Sequence, residues 1–164
     1  MTRVSLRPQG EQMEILFIGS VGVITRDRAE GRRLFVDSLR LPLKTAEGTE
    51  FLFSQGLEGS KYFGVWPLTE AAKICFGRDR WPSDRPVPQF FIEFELGDPD
   101  KVARAAAELE SKGYTLLHGP RKDPWGQTVA RMQTQDGAII GLSYVPWMHR
   151  RRKARAGRTH GPHR

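Results

Sequence analysis

QFFIEFELGDPDKVARAAAELESKGY, residues 89–114, is the stretch from which the fold can be read. Gln89–Leu96 alternates. Ile92, Phe94 and Leu96 fall on one face and Phe91, Glu93 and Glu95 on the other, the period of a strand. Asp98 then offers a helix cap, with Pro99 in the first helical position, where a missing N–H does no harm. Val102, Ala106 and Leu109 make the inner stripe of that helix and Gly113 ends it. Tyr114–His118, Gln127–Gln133 and Ile139–Val145 predict three more strands. The last two are joined through Gln135-Asp136-Gly137, which has hairpin-turn chemistry.

The same order occurs upstream. Residues 13–24, MEILFIGSVGVI, are apolar and rich in Ile and Val, which predicts a strand. Asp27 with Glu30 forms a capping box. Leu34, Phe35, Ser38 and Leu39 share a helical face, and Pro42 marks the stop. Glu50–Ser54 and Tyr62–Trp66, around Gly56 and Gly59, predict two antiparallel strands. Thr69–Phe76 predicts a short helix with Ala71, Ile74 and Cys75 inward and Gly77 beyond its end. GRDRWPSDRPVP, residues 77–88, has three Pro and no periodicity, so it reads as a linker. Each half therefore reads strand, helix, three strands. Ser20 precedes its cap Asp27 by seven residues, as Phe91 precedes Asp98.

The expected fold class is α+β: two βαβββ modules, residues 13–76 and 89–148, forming a mixed-sheet cleft within one domain. Residues 1–12 would be an N-terminal extension. A lone module covers one sheet face with its helix and leaves the other bare, so two modules can set their bare faces around a shared cleft. Phe91, Glu93, Glu95, Gly141 and Ser143 would then line the cleft, and Ile92, Phe94, Leu96, Ile140 and Leu142 would lie under the helix. A register slip of one would invert every assignment.

Length and composition agree with a soluble globular domain. A chain of 164 residues, 38% apolar and 27% charged, can bury a real core. No apolar run approaches the roughly 18 residues that cross a bilayer, and the amino terminus has no signal-peptide pattern, so the expected compartment is the cytoplasm. One cysteine excludes an internal disulfide and a Cys-only metal cage. The net charge of +7 is not a property of the body. HRRRKARAGRTHGPHR, residues 149–164, holds seven Lys/Arg and no acid, so the other 148 residues carry 19 basic (26 − 7) and 19 acidic groups. That segment is expected to be a disordered basic tail. It is a salt-sensitive arm for polyanions or nucleic acid, or a solvated extension with no set partner.

With FIGSVGVITRDRAEGRRLFVDSLRLPL (17–43), FFIEFELGDPDKVARAAAELESKGY (90–114) and KDPWGQTVARMQTQDGAIIGLSY (122–144), the chain resembles the vicinal oxygen chelate superfamily of glyoxalases, bleomycin-resistance proteins and extradiol dioxygenases. The PWGQ turn and the Asp-Gly turn before the last strand carry the resemblance together. It implies paired βαβββ modules, often a homodimer, and in the enzymes a divalent metal held by His and Glu on cleft strands. Carried over position by position, the first-strand His falls at Ser20, its second-module counterpart at Phe91 and the last-strand Glu at Gly141. The remaining ligand falls near Phe63 or Gly64, on Tyr62–Trp66, a segment without acid or imidazole. A hydroxyl, a phenyl ring and a glycine cannot hold such an ion. His118 stands at a strand end, and His149, His160 and His163 fall in the tail.

The resemblance therefore implies a metal-free, cofactor-free member that binds a small organic ligand. Ser20, Phe53, Phe63, Trp66, Phe91, Glu93, Trp125, Arg131, Gly141 and Ser143 are the candidate binding residues. Each Trp, Trp147 included, serves equally well as core or dimer packing. Glu93 beside Arg131 reads as a structural ion pair, a polar anchor or a general base, so an enzyme with displaced or non-metal catalytic residues stays open. A body of zero net charge gives little support to cationic bleomycin as the ligand. Cys75, among apolar neighbours, reads as a small core hydrophobe. No phosphate-binding loop, dinucleotide fingerprint, HExxH or GxSxG pattern occurs.

Overall fold

A computed structural model describes residues 12–150. Strand β1 (Phe17–Thr25) leads to helix α1 (Arg28–Arg32), which continues as a π-helical turn, Arg33–Ser38. Strands β2 (Lys44–Thr45), β3 (Leu52–Ser54) and β4 (Tyr62–Pro67) complete the first module, and helix α2 (Leu68–Phe76) follows. The second module is β5 (Phe90–Glu95), α3 (Pro99–Ser111), β6 (Leu116–Lys122), β7 (Thr128–Gln133) and β8 (Ile139–Tyr144). A 3₁₀ turn, Pro146–His149, closes the described chain.

The caps act as the sequence requires. Asp27 accepts from the Glu30 backbone N–H and Asp98 from that of Lys101, with Pro99 in the first turn. Residues 77–88 hold no regular element. Several boundaries differ from expectation. β1 begins at Phe17, since Met13–Leu16 pair too little to form a strand. The third strand of module one is the two-residue β2. β6 runs from Leu116 to Lys122, because pairing with β7 carries it past His118.

All eight strands form one open sheet in the order β2-β3-β4-β1-β5-β8-β7-β6. The modules meet where β1 pairs antiparallel with β5, while β1–β4 and β5–β8 are parallel. Each module thus presents its first strand to the other, which gives the sheet an approximate twofold repeat.

The alternation places the side chains. Leu96, Leu142 and Ala130 pack with Val102, Ala105 and Ala106 of α3 on what we call the outer face. Phe63 meets Phe35 of the π-helical turn on that same face, with ring centroids 6.3 Å apart. The inner face carries α2, whose Ala71 and Cys75 pack on Trp66, Phe91 and Ile139. Phe91 can lie flat there because Gly22 faces it. A Cβ at Gly22 would fall 2.5 Å from the Phe91 ring.

Candidate functional site

Six residues stand side by side across the inner face, one per strand: Tyr62, Ser20, Glu93, Gly141, Arg131 and His118. In-register neighbours point the same way, so this row is a direct consequence of strand pairing. Arg131 is its centre and is 1% exposed. Its guanidinium donates to Glu93 Oε1 at 3.2 Å and to Asp123 Oδ2 at 3.0 Å, and lies 5.4 Å from the Trp66 ring. Burial opposes the charge of Arg131, but Glu93 and Asp123 outweigh burial and hold its pKa above the ordinary value.

The Asp123–Gln127 turn supplies the rest. The Asp123 N–H donates to Gln127 O and the Gly126 N–H to Asp123 O. Gly126 takes φ +90°, a conformation in which any other residue would be strained. Asp123 and Gln127 thereby both reach inward. Gln127 Nε2 donates to Glu93 Oε2 at 2.5 Å and to Ser143 Oγ at 2.8 Å. Gln127 Oε1 accepts from the Trp125 indole at 2.7 Å.

His118 Nε2 lies 3.2 Å from Arg131 Nη1 and its Nδ1 lies 2.8 Å from Gly119 O. Arginine can only donate and a carbonyl can only accept, so Nε2 is the acceptor and Nδ1 carries the hydrogen. Burial pushes the His118 pKa down to about 4, and the guanidinium charges of Arg131 and Arg121 act in the same direction. Its imidazole is neutral at pH 7.

A second buried group lies one step along the sheet. Glu95 is fully buried, and its Oε2 accepts from the Val145 N–H at 2.8 Å and bonds His149 Nε2 at 2.9 Å. Glu95 Oε1 has no hydrogen-bond partner among the described residues. Lys61 Nζ donates to Met148 O at 2.8 Å and fixes the same 3₁₀ turn. His149 therefore belongs to the folded body and not to a tail, because a buried carboxylate holds it. His160 and His163, with the remainder of the tail, lie outside the described residues.

The expected site residues divide into five groups. Ser20, Glu93, Arg131, Gly141 and Ser143 come together on the inner face. Trp66 and Phe91 share that face but are packed beneath α2 as core. Phe53 stacks on Tyr62, with centroids 5.4 Å apart and planes 7° from parallel. Trp125 stands at the turn, 56% exposed. Phe63 is a correction: strand alternation turns it to the outer face, and Tyr62 takes the inner position. Asp123, Gln127, Tyr62, His118 and His149 were missed as site residues. Alternation with Val129 and Arg131 pointed to Gln127, whereas nothing local marked Asp123 or His149. Among the hollows along the described residues, one of about 270 Å³ lies beside Ile18, Gly19, Val21 and Lys61, away from the Arg131 cluster.

The residues do not fit the divalent ion that the fold implies. Ser20 offers a hydroxyl, Phe91 a core ring, Gly64 no side chain, and Phe63 faces away. Gly141 has no room for a ligand, since even a Cβ there would fall 2.7 Å from Glu93 Cγ. Among the described residues, no three His, Cys, Asp or Glu side chains converge to hold a metal.

A family model described as the Glyoxalase/Bleomycin resistance protein/Dioxygenase superfamily matches residues 18–142, and the chain belongs to that superfamily. No curated protein matches. Among solved structures, the chain is similar to a methylmalonyl-CoA epimerase from Streptomyces coelicolor in complex with 2-nitronate-propionyl-CoA. That match has 16% identity and a TM-score of 0.52, and covers 81% of this chain and 96% of that one. It is also similar to the Mn(II)-bound glyoxalase from Novosphingobium aromaticivorans, with 15% identity and a TM-score of 0.52, over 79% of this chain and 38% of that one. These likenesses speak to the fold. Among the described residues, no helix is long and apolar enough to cross a membrane.

Proposed function

We propose that this chain binds a small organic ligand on the inner face of its sheet without a tightly bound metal. The observation that carries this reading is the surroundings of Arg131. Two inner-face carboxylates, Glu93 and Asp123, already have a buried cation between them, and the positions from which relatives would hold an ion carry no carboxylate or imidazole. Phe53, Tyr62, Trp125 and Ser20 supply rings and hydroxyls for a ligand, whereas the Ser143 hydroxyl is fully buried and held by Gln127. Elemental analysis of the purified full chain, with calorimetric titration of Co²⁺, tests the reading. The expected result is no stoichiometric ion. One tightly bound divalent ion per chain overturns it.

A second reading, an enzyme of this superfamily with non-metal catalytic residues, is favoured by the Glu95–His149 pair. A carboxylate behind a partly exposed imidazole is an arrangement that can orient a general base. Glu93 suits that role poorly, because one oxygen is held by Arg131 and the other by Gln127. Loss of turnover in His149→Gln, once a substrate is in hand, supports this reading, and unchanged turnover removes it. The accompanying expectations are a homodimer, a cytoplasmic location and polyanion association through the basic tail. Sedimentation of the full chain, and low-salt oligonucleotide binding with and without residues 151–164, check the first and last.

A further inference from the structure

An exposed indole ordinarily satisfies its N–H with water and keeps its rotamer freedom. Trp125 does neither. Its N–H is bonded to Gln127, which is 4% exposed and is itself held by Glu93 and Ser143. Glu93 is in turn fixed by Arg131. A large flat apolar surface is thus held in one orientation at the lip of the inner face by a chain of buried bonds. The entropy cost of fixing such a side chain is one that water returns poorly and a stacked ligand returns well, because the ordering has been done beforehand.

Two further features narrow the ligand. The charges of the cluster cancel, with Arg131 and Arg121 set against Glu93 and Asp123. A charged ligand would find no spare counter-charge and would give up hydration for nothing. Ser20 and Tyr62 are neighbours in register, and neither hydroxyl has a hydrogen-bond partner among the described residues. Ser20 is 5% exposed, so its hydroxyl is buried with no hydrogen-bond partner beside it. Burial, with Glu93 adding to it, raises the Tyr62 pKa, so the phenol keeps its proton and acts as a donor. The stacked Phe53 and Tyr62 rings beside these hydroxyls form a flat wall.

We propose that the ligand is an uncharged planar aromatic molecule bearing a hydroxyl or carbonyl oxygen. Its ring stacks on Trp125, which Gln127 holds as a positioning residue, and its oxygen meets Ser20 and Tyr62. This rests on the metal-free ligand-binding reading and names the ligand's chemistry.

The test is calorimetric titration of the full chain with 2-naphthol, with 2-naphthoate (the same ring made anionic) and with cyclohexanol (an oxygen without a planar ring). The expected result is one 2-naphthol per chain, with each of the others at least tenfold weaker. Trp125→Ala, a change at an exposed site, weakens 2-naphthol about tenfold. Gln127→Met weakens it about fivefold and increases acrylamide quenching of Trp125, measured against the same protein carrying Trp125→Phe. A purely structural Gln127 would lower the melting temperature and leave affinity and quenching in the folded protein unchanged, and that result removes the positioning role. The proposal is overturned if 2-naphthol does not bind, if 2-naphthoate binds as tightly, or if Trp125→Ala leaves affinity intact. It is also overturned if Trp125→Ala only converts a dimer to a monomer, which would make the indole an interface residue. Stoichiometric Co²⁺ binding sinks the metal-free reading whatever 2-naphthol does. A metal-free protein that fails the naphthol test sinks this inference alone.

Discussion

Replacing Arg131 with Met leaves the Glu93 and Asp123 carboxylates buried without the cation between them. Glu93 keeps its bond from Gln127 and Asp123 its ion pair with Arg121 at 3.5 Å, but both lose the guanidinium that stood between them. Removing one partner of a buried pair costs about 3–5 kcal/mol, most of it the penalty of an unpaired buried charge. For a domain of this size that corresponds to a melting temperature lower by roughly 8–15 °C. Urea unfolding followed by tryptophan fluorescence reads the change directly, and the slope should match the wild type, since the surface exposed on unfolding is unchanged. Glu93→Gln and Asp123→Asn added to Arg131→Met leave no buried charge in this cluster and should restore most of the loss. A loss below about 1 kcal/mol for Arg131→Met, or a triple variant as unstable as the single one, refutes the view that charge compensation holds this cluster together.

Other outcomes follow from the same geometry. The His118 pKa is lowered to about 4 from 6.5 in the unfolded chain, so unfolded molecules take up a proton that folded ones refuse. Stability should therefore fall as pH drops from 6.5 toward 4 and level off below, by about 3 kcal/mol at most and roughly half that after solvent screening. His118→Asn should flatten the profile, as read by unfolding at stepped pH. Gly22→Ala should cost about 3 kcal/mol in urea unfolding, because its Cβ collides with the Gly64 carbonyl and the Phe91 ring and backbone cannot yield. Asp98→Ala removes the α3 cap and should cost about 1 kcal/mol in the same assay. Burial pushes the Cys75 thiol up to about 11, so iodoacetamide should leave it unmodified at pH 8 in the native protein and alkylate it once urea unfolds the chain.

Much of the fold was legible because its signals are local. The alternation of Phe91–Leu96, the caps Asp27 and Asp98 and the stop at Gly77 act over one to four residues, so neighbouring letters contain them. Alternation also placed Glu93, Gly141 and Ser143 together on the inner face and Leu96 and Leu142 beneath α3. Phe63 was misplaced because the expectation leaned on its aromatic ring and a ligand position rather than on the strand's own period, which sends Tyr62 inward.

What only the tertiary structure decided is which inward residues meet. Asp123 and Arg131 are eight residues apart, Glu93 and Arg131 thirty-eight, and Glu95 and His149 fifty-four. No local pattern encodes such separations, because each contact depends on how two modules pair edge to edge. The sequence could show that Ser20, Phe91 and Gly141 stand where the resemblance implies ion ligands. The pairing of β5, β7 and β8 determined that a guanidinium sits between the carboxylates, since electrostatic partners in a low-dielectric interior are fixed by distance in space and not by distance along the chain.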